Sequence, residues 1–401
     1  CEDIWYPDVS NMLKSKGADL LISPNGSPFE RNKLKKRHNE VFKRSNENNI
    51  PIIYLNLVGG QDDQVFDGGS FAMDNNGNIK TQLPQFEQTT LILEFEKNIS
   101  NSFDFKVIDI KHGEENKTIS SCEKVWTALS DFGGDRKSLL INLGGGVITD
   151  IGGFIASTFK RGIDFINIPT TLLSMVDASI GGKTGIDFGN LKNQIGVIND
   201  PKLVIIDLLF LKSLPIKELK SGYSEMLKHG LISDKKYWNE ISTLLIDKKI
   251  PGINEIFNSI KIKNEIVLDD PYEKHKRKVL NFGHTIGHAI ESFFMDSKTH
   301  NNLTHGESIA IGMIIEAHIS FNLCKLDISK AKEIKEVFNS IFNLVKISEN
   351  DYNQILSLLK YDKKNSHGKT NFVLLDKIGS PVIDVQVPDK KIKEGFEFYL
   401  S

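Results

Sequence analysis

Three separate segments of the chain supply side chains that commonly bind metal ions. Glu225 lies in a glycine-flanked helical motif, His284 and His288 are spaced i, i+4 on one helical face, and His305 opens a His-Gly-Glu run. A lone helical histidine is usually a core residue. A glutamate combined with histidines, with coordination positions left open, is instead typical of a catalytic zinc site. The motif HExxH is excluded because Thr285 follows His284.

A second chemical feature is the glycine-rich turn Gly144–Gly146, which follows apolar residues 139–141 and 143 and precedes the apolar run 154–156. This order predicts a buried strand, a tight turn and a helix. Such a turn lets backbone N–H groups approach the phosphates of a nucleotide, and the helix start adds positive charge. Two familiar phosphate motifs are excluded, because Thr149 replaces the last glycine of GxGxxG and Asp177 the first glycine of a P-loop.

Chain length and composition limit the classes of protein. The 401 residues suffice for two or three domains, and the formal net charge of −2 gives no case for a nucleic-acid partner. No apolar run approaches membrane-spanning length. The cysteines Cys1, Cys122 and Cys324 do not resemble a disulfide framework, which favours a cytoplasmic location. The basic cluster 31–37 is predicted to be a solvated helix face.

The coarse pattern predicts an α/β nucleotide-binding domain up to about Ser213, followed by a mainly α-helical metal-binding domain. Helical periodicity covers residues 253–268, 309–324, 328–341 and 355–359, and residues 370–375 are predicted to form a short edge strand. Before residue 97 the chain alternates short strands and helices. We predict domain limits of 1–98, 99–213 and 214–401.

The N-terminal segment resembles the C-terminal half of the nitrilase-fold glutaminase domain of glutamine-dependent NAD synthetase, a partial α/β sandwich. The matching stretches are CEDIW (1–5), GAD (17–19), SPNGSPF (23–29), VGGQD (58–62) and VFDGGSF (65–71). The resemblance implies that Cys1 corresponds to the glutaminase nucleophile. The family's glutamate and lysine partners lie upstream of that cysteine and have no counterpart here, so we expect no glutaminase activity.

From Phe105 onward the chain resembles the 3-dehydroquinate synthase family. The resemblance rests on GEENK (113–117), the glycine turn, IPTT (168–171), DASIGGK (177–183), SGYSEMLKHG (221–230) and NFGHTIGHAIE (281–291). The family has a further strand-and-helix portion before this point, for which the chain shows no counterpart. The chain also lacks a starting methionine. We therefore expect a truncated nucleotide-binding domain in a chain that begins mid-sequence or after processing. Because two enzyme pieces that each lack an N-terminal part meet in one chain, we also expect a joined or mis-assembled reading frame.

The resemblance implies a metal site and a substrate site. The metal ligands are Glu225, His284 and His305, which would hold Zn²⁺ or Co²⁺. The family positions around the substrate match Asp177, Lys183, Asn193, Lys228, Lys263, Arg277, Asn281 and His288. Arg161 matches a residue that reaches across a homodimer interface, and Lys364 matches a phosphate-contacting lysine.

The resemblance also implies that NAD is the cofactor. The matching positions are Glu114, Lys117, Gly146, Val147, Ile148, Thr149, Asp150, Thr170, Thr171, Lys183, Lys192, Phe210, Leu211, Lys212 and Ser213. The chain departs from the family at His112 and in the Asp187–Gly189 turn.

The implied activity is that of a carbon–oxygen lyase of the shikimate pathway, which leads to chorismate and the aromatic amino acids. It converts the sugar phosphate 3-deoxy-arabino-heptulosonate 7-phosphate to 3-dehydroquinate and phosphate, with no membrane or nucleic-acid partner. Three alternatives stay open: a related sugar-phosphate cyclase, a metal-dependent alcohol dehydrogenase of similar architecture, and an inactive hybrid that carries a remnant glutaminase segment.

Overall fold

A computed structural model describes residues 3–61, 64–87, 105–189, 191–297, 301–359 and 370–401. The chain divides into two compact units, Cys1–Phe105 and Lys106–Ser401. None of the helices formed by the described residues is long and apolar enough to cross a membrane. Cys122 and Cys324 are free thiols.

The first unit has an α/β arrangement. Its elements are α1 (Pro7–Ser15), β1 (Leu21–Asn25), α2 (Lys33–Asn48), β2 (Ile52–Asn56), β3 (Val58–Gln61), β4 (Gln64–Asp67), β5 (Phe71–Met73) and β6 (Ile79–Gln82). One sheet has the order β1-β2-β5-β6, with β1 parallel to β2 and the other pairs antiparallel. Strands β3 and β4 form a separate antiparallel hairpin.

Arg37, in helix α2, is the one residue of the basic cluster 31–37 that is buried rather than solvated. The Arg37 guanidinium donates to Asp67 Oδ1 at 2.9 Å and to the Ser27 carbonyl at 2.8 Å. Arg37 is completely buried and Asp67 nearly so. The prediction of a solvated face is therefore wrong at this position, because a buried carboxylate on β4 supplies a partner that the sequence pattern does not reveal.

The second unit begins with an α/β part. Its elements are α3 (Ile119–Asp131), β7 (Leu139–Gly144), α4 (Gly146–Thr158), β8 (Asp164–Pro169), β9 (Lys183–Phe188), β10 (Leu191–Ile198) and β11 (Leu203–Val204). Strands β11, β8 and β7 form a parallel sheet in that order, and β9 and β10 form an antiparallel hairpin. The predicted strand–turn–helix at the glycines is confirmed.

Strand β7 is not buried as the apolar run suggested. The side chains of Leu139, Ile141 and Leu143 are 50%, 55% and 57% exposed, whereas Asn142 is buried. Successive side chains of a strand point to opposite faces of the sheet. Leu139, Ile141 and Leu143 all lie on the exposed face of β7. A continuous apolar run therefore does not by itself establish burial on both faces.

The rest of the second unit is mainly helical, as predicted. Its elements are α5 (Ile216–Ser233), α6 (Lys235–Ile246), α7 (Ile253–Asp269), α8 (His284–Asp296), α9 (His305–Leu323), α10 (Ile328–Ile341), α11 (Glu349–Leu359), β12 (Asn371–Lys377), β13 (Ser380–Gln386) and α12 (Asp389–Leu400). One large core joins these helices, with α9 almost entirely buried at its centre. The predicted edge strand is β12, which pairs with β13. The domain limits themselves remain a prediction.

Candidate functional site

Helices α5, α8 and α9 approach one another closely enough to bring their polar side chains together. A Cβ atom on Gly306 would lie 2.3 Å from Ser221 Cα, so only glycine permits this contact between α9 and α5. A Cβ on Gly312 would lie 2.0 Å from the Gly283 carbonyl oxygen, which sets the same limit between α9 and α8. The glycines thus fix the separations of the three helices.

Glu225, His284 and His305 meet at this junction, one from each helix. Glu225 Oε1 lies 3.6 Å from His284 Nε2 and 3.8 Å from His305 Nε2. Glu225 is fully buried, and its Oε1 has no hydrogen-bond partner among the residues that the structure describes. A buried carboxylate oxygen without a partner is costly, and a cation between these three atoms would satisfy it.

The far sides of both imidazoles are occupied by acceptors. His284 Nδ1 lies 3.1 Å from the Phe282 carbonyl oxygen, and His305 Nδ1 lies 3.3 Å from Glu291 Oε2. Because both partners can only accept, we assign a proton to Nδ1 in each ring, so that Nε2 is the nitrogen of each ring that faces Glu225 and is placed to bind an ion. Metal-binding histidines usually donate the N–H of their other ring nitrogen to a carboxylate or carbonyl oxygen in this way. The three residues therefore fit a divalent cation.

His288 lies beside the triad. Its ring centroid is 5.2 Å from that of His284 and 5.7 Å from that of His305, and one nitrogen of each ring lies within 4.8 Å of the others. Geometry alone allows it to face either an ion or a ligand bound to that ion. The assignment of His288 to substrate stays a prediction.

A second cluster of buried charges lies next to the triad and centres on Asp177, which belongs to a π-helical turn, Ser174–Ala178. Lys263 Nζ donates to Asp177 Oδ1 at 2.8 Å and to its backbone carbonyl at 2.5 Å. Lys228 Nζ donates to Glu225 Oε2 and lies 4.0 Å from Asp177 Oδ1. Although burial opposes it, the two ammonium groups lower the pKa of Asp177 well below its usual range.

Asp177, Glu225 and His229 also have the ligand types of a metal site, and their atoms lie within 4.8 Å of one another. The ammonium groups of Lys228 and Lys263 already occupy this space as the cations. Burial and the neighbouring Lys228 lower the pKa of His229 to about 3, so its imidazole is neutral. Because the two ammonium groups occupy this space, we place the metal at Glu225, His284 and His305 and not in this cluster.

Further predicted substrate residues are connected through Glu273. Its Oε2 accepts from Lys183, which is 55% exposed, and its Oε1 accepts from Asn281 Nδ2 at 2.7 Å. Arg277 is buried and donates to the carbonyl oxygens of Pro271 and Gly181. Glu273 thus joins Lys183 to Asn281, and Arg277 contacts the segment that precedes Lys183.

The predicted nucleotide site lies at the carboxyl edge of the parallel sheet. We call the glycine turn (Gly144–Gly146) together with Thr170 and Thr171 the nucleotide cradle. Thr170 N donates to the Gly144 carbonyl at 3.0 Å, which joins the ends of β7 and β8. A Cβ on Gly146 would lie 3.4 Å from Ala178 Cβ, so the start of α4 contacts the turn that carries Asp177. The cradle is therefore adjacent to the charged cluster, where open α/β sheets bind ligands.

Buried and half-buried charges extend from the cradle. Lys117 Nζ donates to Asp150 Oδ2 on α4 and to Asn193 Oδ1, both at 2.6 Å. Glu114 Oε1 lies 3.9 Å from the ammonium groups of both Lys117 and Lys192. These contacts bring the segments GEENK (113–117) and Lys192–Asn193 together, and their role in binding a nucleotide stays a prediction.

The other residues that were predicted to bind NAD or substrate lie on several different elements. Val147, Ile148 and Thr149 lie in the first turn of α4, and Phe210, Leu211, Lys212 and Ser213 lie at the end of a 3₁₀ turn, Leu208–Lys212. Arg161 is exposed, with φ of 71° in the left-handed region. Lys364 lies outside the described residues. The roles of all these residues stay predictions.

Sequence reasoning missed three residues of the site. No motif or spacing in the sequence pointed to Glu273. His229 is part of the motif SGYSEMLKHG (221–230), but no role was predicted for it. Glu291 follows His284 by seven residues and His288 by three, so helical periodicity places it on their face. That spacing was a usable signal for Glu291.

Comparison with known proteins identifies the family of this chain. A 3-dehydroquinate synthase from Parabacteroides distasonis is 42% identical over 296 residues, which cover 73% of this chain and 83% of the relative. A second, from Clostridium botulinum, is 40% identical over 283 residues, covering 70% and 80%. The chain belongs to the 3-dehydroquinate synthase family.

Matches to models of protein families are consistent with that membership. Residues 107–221 match the family 3-dehydroquinate synthase N-terminal and residues 222–365 match 3-dehydroquinate synthase C-terminal. Residues 1–100 match the carbon-nitrogen hydrolase family, which confirms the separate resemblance of that segment.

Two solved structures share the fold of this chain. One is 2-epi-5-epi-valiolone synthase from Streptomyces hygroscopicus with NAD⁺ and Zn²⁺ bound, with a TM-score of 0.63, 19% identity, and coverage of 95% of this chain and 90% of the other. The other is 2-deoxy-scyllo-inosose synthase complexed with carbaglucose-6-phosphate, NAD⁺ and Co²⁺, with a TM-score of 0.60, 22% identity, and coverage of 98% and 94%. At these identities the likeness supports the fold alone.

Proposed function

We propose that this chain is a 3-dehydroquinate synthase, a carbon–oxygen lyase that converts 3-deoxy-arabino-heptulosonate 7-phosphate to 3-dehydroquinate and phosphate. The observation that carries the proposal is the convergence of Glu225 Oε1, His284 Nε2 and His305 Nε2 beside buried lysines. Relatives about 40% identical over most of their length carry this name. The place of the reaction in the shikimate pathway and a cytoplasmic location are parts of the same proposal.

A divalent metal ion and NAD would supply chemistry that the side chains of the protein cannot perform. A divalent ion polarises hydroxyl oxygens as a Lewis acid and NAD accepts and returns a hydride. Glu225, His284 and His305 would hold the ion, Zn²⁺ or Co²⁺. The nucleotide cradle, with Asp150, Lys117 and Lys192, would hold NAD.

The protein's own contribution is charge and orientation. Lys228 and Lys263 are buried, and together with Arg277 they supply positive charge next to the triad, which suits an acidic, phosphorylated substrate. Asp177 is held by Lys263 beside this charge, and it would contact the substrate hydroxyls. His288 would hold a proton or a phosphate oxygen at the ring nitrogen that faces the triad.

The mouth of the site would bind the substrate's outer groups. Lys183 is more than half exposed and shares Glu273 with Asn281, so an anionic substrate can recruit both donors by displacing this carboxylate. Arg161 would act from a second copy of the chain in a homodimer. Lys364 would contact the phosphate.

Release of inorganic phosphate from the heptulosonate phosphate tests the proposal. The purified chain is assayed with NAD and Zn²⁺, after chelation, and without NAD. We expect phosphate release that needs both additions and no net accumulation of NADH. Accumulating NADH without phosphate would indicate an alcohol dehydrogenase, and activity confined to a different ketose or hexose phosphate would indicate another cyclase. No turnover of any of these by metal-loaded, folded protein would indicate an inactive hybrid.

A further inference from the structure

The strongest unassigned group beside the triad is Glu291. Its side chain is only 7% exposed and its two oxygens point to different partners. Oε2 lies 3.3 Å from His305 Nδ1, and Oε1 accepts from Lys192 Nζ at 2.8 Å. A single carboxylate thus contacts both a metal ligand and a residue of the predicted nucleotide site.

Glu291 does not act as a metal ligand itself. The His305 ring separates it from Glu225, because Glu291 faces Nδ1 while Glu225 faces Nε2 of the same imidazole. A carboxylate in this place fixes the tautomer and the ring orientation of a histidine ligand and makes its other nitrogen a stronger donor.

Lys192 determines where the carboxylate can lie. It comes from the hairpin strand β10, whereas Glu291 comes from helix α8, so their ion pair joins the α/β part to the helical part of the second unit. On its other side, Lys192 Nζ lies 3.9 Å from Glu114 Oε1. Glu114 lies equally close to Lys117, which is bonded to Asp150 at the start of α4. Adjacent charges therefore extend from the metal triad to the nucleotide cradle.

We infer that Glu291 is a positioning residue that holds His305 for the metal and that depends on Lys192 to do so. The affinity for the ion is then set partly by a lysine on the nucleotide side of the site. This inference rests on the metal assignment in the proposed function, but it concerns binding and does not require turnover.

The experiment is a double-mutant cycle on metal affinity. The metal-free full chain and its variants E291Q, K192M and E291Q/K192M are titrated with Zn²⁺ against a chromophoric chelator, without NAD. We expect E291Q to raise the dissociation constant about 10- to 100-fold. K192M should raise it roughly 2- to 10-fold, and the double variant should equal E291Q alone, because the lysine acts only through the carboxylate. In K192R the affinity should return to near the native value, since arginine also pairs with a carboxylate.

Two further measurements separate positioning from general damage. The visible spectrum of bound Co²⁺ should change in E291Q, since the geometry around His305 changes, whereas it should stay native in E336Q on the exposed surface of α10. Circular dichroism checks folding, and if E291Q does not fold, K192M and K192R decide the question alone.

Several results would overturn the inference. They are a native dissociation constant in E291Q, effects of E291Q and K192M that multiply in the double variant, or a K192M variant that loses NAD affinity while its Zn²⁺ affinity is unchanged. Absence of phosphate release by the native chain, with the cycle as expected, would instead count against the proposed function only.

Discussion

Glu225 Oε1 and His284 Nε2 lie 3.6 Å apart, although 59 positions of sequence, from 225 to 284, separate them. His305 Nε2 completes the group at 3.8 Å from the same oxygen. The other Glu225 oxygen is held by Lys228, so the carboxylate is fixed in orientation while Oε1 faces the two imidazoles. Such a fixed, open set of one oxygen and two nitrogens is what a catalytic metal ion requires.

Replacing Glu225 should abolish tight metal binding. E225Q keeps the shape of the side chain but removes the charge, and we expect the Zn²⁺ dissociation constant to rise at least about 100-fold, because one ligand of three is lost. The matched comparison is H288A. If His288 faces substrate, as we propose, that variant keeps one ion per chain at near-native affinity. The affinity and the metal content of both variants are measured by chelator competition and metal analysis. Loss of the ion in H288A would show that His288 is a metal ligand.

A methyl group at Gly306 should separate α9 from α5. The added Cβ would lie 2.3 Å from Ser221 Cα, where only backbone movement can relieve the clash. We expect G306A to lower the free energy of unfolding by about 1–3 kcal/mol and to weaken Zn²⁺ binding, since His305 is the neighbouring residue. Urea unfolding and metal titration measure the two effects.

The matched control for that glycine is Gly60 in the first unit. A Cβ there would meet nothing closer than the Gln64 carbonyl at 3.8 Å. G60A should leave both quantities nearly unchanged. A G306A variant as stable and as tightly metal-binding as the native chain would show that the close helix contact does not set the site.

The Lys117–Asp150 ion pair should determine nucleotide affinity. Lys117 is buried and binds Asp150 and Asn193, and its removal leaves the Asp150 carboxylate beside the cradle without its cation. We expect K117M to weaken NAD binding roughly 10-fold or more by calorimetry, with Zn²⁺ affinity nearly native. The double variant K117M/D150N should bind NAD better than the two single effects predict, because the residues are in contact. Strict additivity would contradict this account of the pair.

Acid should destabilise the first unit through Asp67. Although burial opposes it, hydrogen bonds from Arg37 and Gln85 lower the pKa of this carboxyl. Because the folded-state pKa is the lower one, the pair contributes its full stability above the ordinary carboxyl pKa of about 4 and loses it as the pH falls through the folded value. The hydrogen-exchange protection factors of amides in β1 and β2 should therefore fall below about pH 4.

Removing the partner of Asp67 should change that pH dependence. R37M leaves a buried carboxylate unpaired, and we expect a loss of about 3–5 kcal/mol at pH 7. The difference from the native chain should shrink on acidification, as Asp67 becomes neutral. K43M removes only an exposed ion pair with Glu40 and should cost less than about 1 kcal/mol. Equal effects of R37M and K43M on the free energy of unfolding would show that the buried Arg37–Asp67 pair stabilises the chain no more than an exposed pair does.

The sequence predicted local structure and local faces well, because these depend on spacing along one helix. The i, i+4 pair His284 and His288 and the i, i+3 pair Glu225 and Lys228 do lie on shared faces. The strand–turn–helix at the glycines and the helices of the second half also agree with the structure. Which histidine of the set joins Glu225 came from family resemblance, since convergence of three helices is a tertiary property.

Partners that come from distant segments could not be predicted. Glu273 on a loop holds Lys183 from 90 positions away in sequence, and no periodicity links the two. Arg37 looked like a surface residue because its partner Asp67 lies on another element. The apolar run of β7 failed as a sign of burial because a strand with one covered face and a strand with two can carry the same apolar residues.

The most direct test is the coordination of a divalent ion by the native chain. Zinc-loaded protein is examined by metal analysis and X-ray absorption spectroscopy. The account predicts one Zn²⁺ per chain with two imidazole nitrogens and oxygen ligands at about 2.0–2.2 Å, and the E225Q variant should not retain the ion. No stoichiometric ion, or an ion bound by sulfur or without imidazole, would contradict the metal site at Glu225, His284 and His305.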